Sequence, residues 1–321
     1  KNGKKYNLGK RVVIIGAGHV GSHVGSSLIL REVADEIVYI DIDKNKAAAH
    51  ALDQYDSISA MSLNTMVRVG DYSDCADADI VVMSVGLQPV PGKTRLEMFD
   101  DTMEILQDVV PKLKNSGFNG IIVSISNPAD IIADYIRKRL DLPENHVFST
   151  GTTLDSCRLK RVLSEKTGYN RNSIQAYCMG EHGDSSMVPF SHVYFGGKSF
   201  DDMVKENPDT LGKISKDEII GEVRQGGFDI VNGKSCTEFG IGLAACEIVR
   251  AILRDEKRVM PVSVLLNGQY GQTGVSAGVP CVIGKDGVEE IIEISLTPEE
   301  KAAFDHSCDV IKSYIEKADK W

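Results

Sequence analysis

The first half of the chain alternates short apolar runs with longer segments of mixed polarity. Arg11–Ile15 (RVVII), Glu36–Ile40 (EIVYI), Met66–Val69, Ile80–Val85 and Ile121–Ile125 are rich in β-branched residues and four to six residues long. Runs that short and that apolar fit strands covered on both faces. The segments between them, such as HVGSSLIL after the first run, read as helices or loops. Strands alternating with helical lengths predict crossover connections, hence an α/β fold built on a doubly wound parallel sheet.

The second half has a different rhythm. A helix is expected to start near Thr153, and Asp217 to Arg254 reads as helical, with Gly226-Gly227 and GKSCT as interruptions. VSVLL and VPCVIG are strand-like, and Gly284 to Gly287 followed by VEEIIEI signals a hairpin. Thr297-Pro298-Glu299-Glu300 supplies an N-cap, a proline in the first turn and a capping-box acid, opening a helix to about Lys317. No internal repeat or composition-defined linker divides the chain.

One loop carries chemistry at once. RVVII runs into Gly16-Ala17-Gly18-His19-Val20-Gly21 and then a helix, so GxGxxG stands in its strand-to-helix setting. Such glycines let the backbone close on a pyrophosphate at a helix N-terminus. Asp41 ends the next strand, about twenty residues on, where a carboxylate can accept from a ribose hydroxyl. Its charge repels a 2′-phosphate and no arginine follows in DIDKNKAA, so NAD is expected rather than NADP. The competing reading is an incidental glycine turn between a buried strand and helix.

Charge narrows the partners. A net charge of −10 argues against sequence-independent binding to nucleic acid or an anionic membrane. An anionic ligand must then be gripped by a few placed cations. The seven cysteines are scattered without CxxC or other metal-ligand spacing, so no metal is expected and a reducing cytoplasm fits. No apolar run reaches the length of a membrane span.

Four further places draw attention. VVMSVG leads into GLQPVPGKTRLEMF, which sets Arg95 behind Pro89, Pro91 and two glycines, Gly86 and Gly92. IIVSIS ends at Asn127. Both lie at carboxyl ends of strands, where ligands bind in such sheets; Gly86 and Asn127 therefore join the expected coenzyme contacts. Asp155 and Arg158 share a helix face, which read alone is more readily a local surface ion pair than a site. His182 stands between glycines in GEHGD, a stretch too polar for a core strand.

Taken in order, GAGHVG, IVYIDID, PGKTRLE, SNPAD, GTTLDSCRLKR and GEHGD resemble the L-lactate/malate dehydrogenase family, on its lactate side. The resemblance implies an NAD-binding Rossmann domain over residues 1–149 and an α+β catalytic domain over 150–321. It also implies a homotetramer or dimer. By the same resemblance His182 is the proton-transferring histidine and Asp155 the aspartate that orients and charges it. Arg158 is the clamp on the substrate carboxylate, and Arg95 the loop arginine that polarises the carbonyl. Asn127 and Thr237 belong to the substrate pocket. The implied activity is NAD-dependent interconversion of a 2-oxo and an L-2-hydroxy acid.

The chain departs from the family at two places. The position that selects substrate, usually glutamine in lactate enzymes and arginine in malate enzymes, is Pro89. Proline has neither cation nor side-chain hydrogen bond for a second carboxylate, so pyruvate is expected over oxaloacetate. A broader L-2-hydroxy acid dehydrogenase, of the hydroxyisocaproate kind, is the alternative. A non-catalytic NAD-binding protein would not need His182, Asp155, Arg158 and Arg95 together. Where many bacterial relatives bind fructose 1,6-bisphosphate through an arginine and a histidine, this chain has Lys160 and Gln175, so weak or absent activation is expected.

Overall fold

The computed structural model describes residues 9–87 and 95–321. Its first half follows the predicted alternation: β1 (Arg11–Ile15), α1 (His19–Leu30), β2 (Glu36–Ile40), α2 (Lys44–Ala60), β3 (Met66–Val69), β4 (Ile80–Met83), α3 (Arg95–Asn115), β5 (Ile121–Ser124), α4 (Ala129–Arg139) and β6 (Val147–Ser149). These strands pair in parallel in the order β3-β2-β1-β4-β5-β6. The order reverses between β1 and β4, which opens a crevice at their carboxyl ends. Val12, Val13 and Ile14 are fully buried, as are Ile80, Val81 and Val82, because helices cover both faces.

The charged first residue of β2 needs a separate account. Glu36 is buried and is held by two guanidinium groups, Arg11 at 2.5 Å and Arg68 at 2.8 Å. A buried carboxylate persists only with such partners.

The second half continues with α5 (Thr153–Thr167), the short strands β7 (Ile174–Gln175), β8 (Tyr194–Phe195) and β9 (Lys198–Ser199), α6 (Phe200–Glu206), α7 (Lys216–Lys234) and α8 (Phe239–Leu253). Then come β10 (Arg258–Asn267), β11 (Thr273–Gly284), β12 (Gly287–Ile291) and α9 (Pro298–Ala318). VSVLL and VPCVIG lie in the long antiparallel pair β10–β11. That pair joins the parallel sheet where Ser263 meets Ser149, so one nine-stranded sheet runs through both halves. Thr297 caps α9 as expected, accepting the Glu300 N–H in a reciprocal capping box.

One expectation fails. Gly226-Gly227 does not interrupt a helix; α7 runs through both. The glycines serve close approach, since a Cβ on Gly226 would come 3.1 Å from Arg161 Nη2 and one on Gly227 would come 3.3 Å from Arg158 Nη1. GKSCT does separate α7 from α8. A second core, with Leu159, Val162 and Leu163 of α5 against Ile219 and Val223 of α7, fixes the two helices together.

Candidate active site

Three glycines shape the loop after β1 in three ways. Gly16 has φ of 101°, a conformation that side chains disfavour, and an added Cβ would strike the Ser84 carbonyl at 2.4 Å. Gly21 lets α1 approach, since its Cβ would stand 2.0 Å from the Gly16 carbonyl oxygen. Gly18 borders open space, with nothing within 4 Å of where a Cβ would be. Gly18 also caps α1 with no side-chain bond, and the first turn holds no acid. The helix therefore offers free N–H groups and its positive end to an anion.

Asp41 supports the same loop. Its Oδ2 accepts the Ala17 N–H at 2.6 Å and its Oδ1 the Asp43 N–H at 2.8 Å, which sets the carboxylate beside the glycine turn. The donor set and the open side of Gly18 fit a dinucleotide. His19 and Val20 open α1, Gly86 follows β4 with φ of 154°, and Asn127 follows β5 exposed. All stand at the carboxyl-end edge of the sheet.

The second-half residues converge from separate elements. Thr152 Oγ1 donates to the Cys178 carbonyl at 2.6 Å, and Ser156 Oγ accepts the Cys178 N–H at 2.9 Å. These bonds pin the start of α5 to the strand-like segment leading to GEHGD. Gly180 then exchanges two backbone bonds with Gly278 of β11, at 2.9 and 2.8 Å. Ser307 of α9, fully buried, accepts the Glu181 N–H at 2.7 Å. The loop before His182 is thus tied to a helix on one side and to a strand and helix on the other.

That fixation brings His182 Nδ1 to 2.6 Å from Asp155 Oδ2. Arg158 Nη1 lies 3.4 Å from the other oxygen, Oδ1, of the same carboxylate. With Nδ1 engaged, Nε2 is the ring atom left for a ligand, and the side chain is 28 % exposed. Asp155's charge raises the His182 pKa to about 9 against the opposing effect of burial. Burial pushes the Asp155 carboxyl up, but the charge and hydrogen bond of His182 outweigh it and hold Asp155 below the usual range. The imidazole is therefore protonated at neutral pH.

Sequence reasoning missed Asp130. This carboxylate on α4 is buried, and its Oδ2 accepts the backbone N–H of His182 at 2.9 Å. Burial lifts its pKa to about 6. SNPAD contained it, but only the folded chain reveals that its side chain reaches a residue on a different loop. Gly227 was missed for the same reason.

Other expected residues are placed less fully. Thr237 stands half-buried in the turn between α7 and α8. Arg95 is described only as the first residue of α3. Pro89 lies outside the described residues.

Lactate/malate dehydrogenases match this chain in two pieces, their NAD binding domain over residues 10–149 and their alpha/beta C-terminal domain over residues 152–321. The chain belongs to the lactate/malate dehydrogenase family. An L-lactate dehydrogenase of Fusobacterium nucleatum is 42% identical over 307 residues, which cover 96% of each chain. L-lactate dehydrogenase 3 of Bacillus cereus is 39% identical over 306 residues, covering 95% of this chain and 97% of that one. Among solved structures, the ligand-bound minor L-lactate dehydrogenase of Enterococcus mundtii superposes with a TM-score of 0.92 at 36% identity, over 97% of this chain and 99% of that one. The lactate dehydrogenase of Cryptosporidium parvum, solved with lactic acid and NAD, gives 0.91 at 28% identity, over 97% and 98%.

Proposed function

We propose that the chain is an NAD-dependent L-lactate dehydrogenase that interconverts pyruvate and L-lactate. The observation that carries this reading is the 2.6 Å pair of His182 and Asp155 with Arg158 on the same carboxylate. It puts a proton donor and an anion clamp side by side.

When bound, NADH supplies the hydride to C2 of the 2-oxo acid. Negative charge then builds on the former carbonyl oxygen, and His182 delivers a proton to it from Nε2. Asp155 holds the imidazolium in register and keeps it charged before the reaction. Arg158 binds the substrate carboxylate through two parallel N–H···O bonds, a geometry that a lysine cannot reproduce. Arg95, the first residue of α3, stabilises the developing charge. Asn127 and Thr237 complete the pocket. In the lactate direction the neutral imidazole takes the hydroxyl proton.

His182→Gln should abolish turnover while leaving NADH binding intact, measured by stopped-flow reduction and by coenzyme fluorescence. Normal turnover in that variant would remove His182 from the mechanism.

Pro89 at the discriminating position favours a substrate with no second carboxylate. Relative kcat/KM for pyruvate, oxaloacetate and 2-oxoisocaproate tests this. A clear preference for oxaloacetate would refute the lactate reading; a preference for 2-oxoisocaproate would favour the broader 2-hydroxy acid enzyme.

We take the domain boundary at 149/150, between β6 and α5. A homo-oligomer, tetramer or dimer, is supported by exposed Leu30, Leu52, Phe239 and Leu243 on α1, α2 and α8. Analytical ultracentrifugation showing only monomer would exclude it. A cytoplasmic location fits the seven unpaired cysteines, and among the described residues no helix is long and apolar enough to cross a membrane. Cell fractionation tests the location.

A further inference from the structure

His19 and His23 stand one turn apart on α1 and share a face. Both reach the same atom: each Nδ1 lies 3.3 Å from Oε2 of Glu238, the residue that caps α8. Cys236 joins from the preceding turn. One ligand atom each from His19, Cys236 and Glu238 lie within 4.8 Å of one another. No sequence spacing announces this cluster, because its donors come from two segments brought together by packing of α1 on α8. Gly242 of α8 permits that packing, since a Cβ there would come 3.0 Å from the Cβ of His23.

We propose that His19, Cys236 and Glu238 form a binding site for a borderline-soft divalent cation, zinc foremost. Nitrogen, sulfur and carboxylate oxygen are the donors that zinc takes in proteins. Two donors at ~2.0–2.1 Å from a tetrahedral zinc stand about 3.3 Å apart, which is the histidine–carboxylate separation found here. The same separation is long for a charge-assisted hydrogen bond, normally about 2.7–2.9 Å. One thiolate and one carboxylate neutralise the dication, and three protein donors leave a fourth position for water.

The surroundings orient the donors. Lys234 holds Oε1 of Glu238 at 2.6 Å, leaving Oε2 to face the histidines. His23 Nδ1 lies 2.8 Å from the His19 carbonyl and stacks edge-on against Phe239, with ring centroids 4.8 Å apart. With its Nδ1 proton given to that carbonyl, His23 braces the first turn of α1 beside the trio.

The position gives the cation a consequence. His19 directly follows Gly18, on the side where the dinucleotide approaches, and Cys236 and Glu238 flank Thr237. A cation here ties the start of α1 to the turn before α8 and competes with the coenzyme. Zinc is therefore an inhibitor whose effect NADH relieves. The inhibition rests on the proposed dehydrogenase activity; the binding does not.

The test uses chelator-treated full-length protein titrated with Co²⁺ and then Zn²⁺. A thiolate-to-cobalt charge-transfer band should appear, saturate at one equivalent and vanish on zinc addition. Cys236→Ser should lose the band and weaken zinc binding by at least tenfold by calorimetry, while Cys157→Ser, which removes an exposed thiol elsewhere, should change neither. Glu238→Gln should weaken zinc binding as well, so the result does not depend on one variant folding. Zinc should raise the apparent KM for NADH in the native enzyme and not in Cys236→Ser. Absence of the band, or unchanged zinc affinity in both variants, overturns the site; zinc inhibition that NADH does not relieve overturns the competition. A protein that binds cobalt through Cys236 but never reduces pyruvate keeps the site and loses the dehydrogenase reading.

Discussion

Gly227 of α7 lies directly against the guanidinium of Arg158, so that a single added carbon would stand 3.3 Å from Nη1. The glycine weakens an exposed helix in order to leave room for the residue assigned to the substrate carboxylate. Gly227→Ala should therefore have two opposite effects. Stability should rise by about 1 kcal/mol through helix propensity, while KM for pyruvate rises roughly 3–10-fold as Arg158 is displaced. Gly226→Ala is the control: it meets Arg161, which is paired with Glu165 away from Asp155, and should stabilise without changing KM. Chemical denaturation and steady-state kinetics give both numbers. An unchanged KM in Gly227→Ala would mean that Arg158 has slack.

The His182 pair predicts opposite pH limbs in the two directions. With the imidazole pKa raised to about 9, kcat/KM for pyruvate reduction should stay level through neutral pH and fall above about 9. Lactate oxidation should rise over the same window. Asp155→Asn removes the largest cause of the shift, so the break should move down toward the ordinary value of 6.5. The linked stability has the same sign: a raised histidine pKa stabilises the fold fully below 6.5 and loses that contribution as pH passes about 9. A break that stays put in Asp155→Asn would assign it to another group.

Asp130 should act as a positioning residue. It accepts the His182 N–H and its charge is among those that favour the imidazolium. Asp130→Asn keeps an acceptor for that N–H but removes the charge. The alkaline break in pyruvate reduction should then move to lower pH, with kcat at pH 7 changed by less than about threefold. Because burial lifts this carboxyl to about 6, the native fold binds its proton more tightly than the unfolded chain. Stability from this group is present below its ordinary value of 3.8 and lost as pH rises through about 6. The variant should lack that slope in urea denaturation across pH 4 to 6, and an unaltered pH dependence in both measurements would reduce Asp130 to a packing role.

Pro89→Arg should raise kcat/KM on oxaloacetate by at least tenfold while lowering it on pyruvate, since it introduces a cation for the second carboxylate. No gain on oxaloacetate would place discrimination elsewhere in the pocket.

Much of this protein was legible in the chain because the signals are local. The apolar runs of β1 to β5 differ by at most two residues from the observed strands, since a strand buried on both faces must be apolar along its length. GAGHVG and Asp41 could be assigned together because a strand, a turn and a helix N-terminus are set by neighbouring residues. The capping box at Thr297 is local in the same sense. Roles for His182, Asp155 and Arg158 were suggested only through resemblance, as a histidine between glycines and an ion pair on one helix face are each ambiguous alone.

Tertiary structure decided what depends on residues far apart in sequence. Gly226-Gly227 reads as a helix break in a linear view, and only the approach of α5 turns it into clearance for arginines. The Asp130 bond to His182, the Ser307 anchor beneath Glu181 and the grouping of His19 with Cys236 and Glu238 each join distant segments. Composition and periodicity determine which segments become helix or strand, because burial acts on every residue of an element. Which side chains then meet depends on how the elements pack, and contacts between elements leave no period in the sequence.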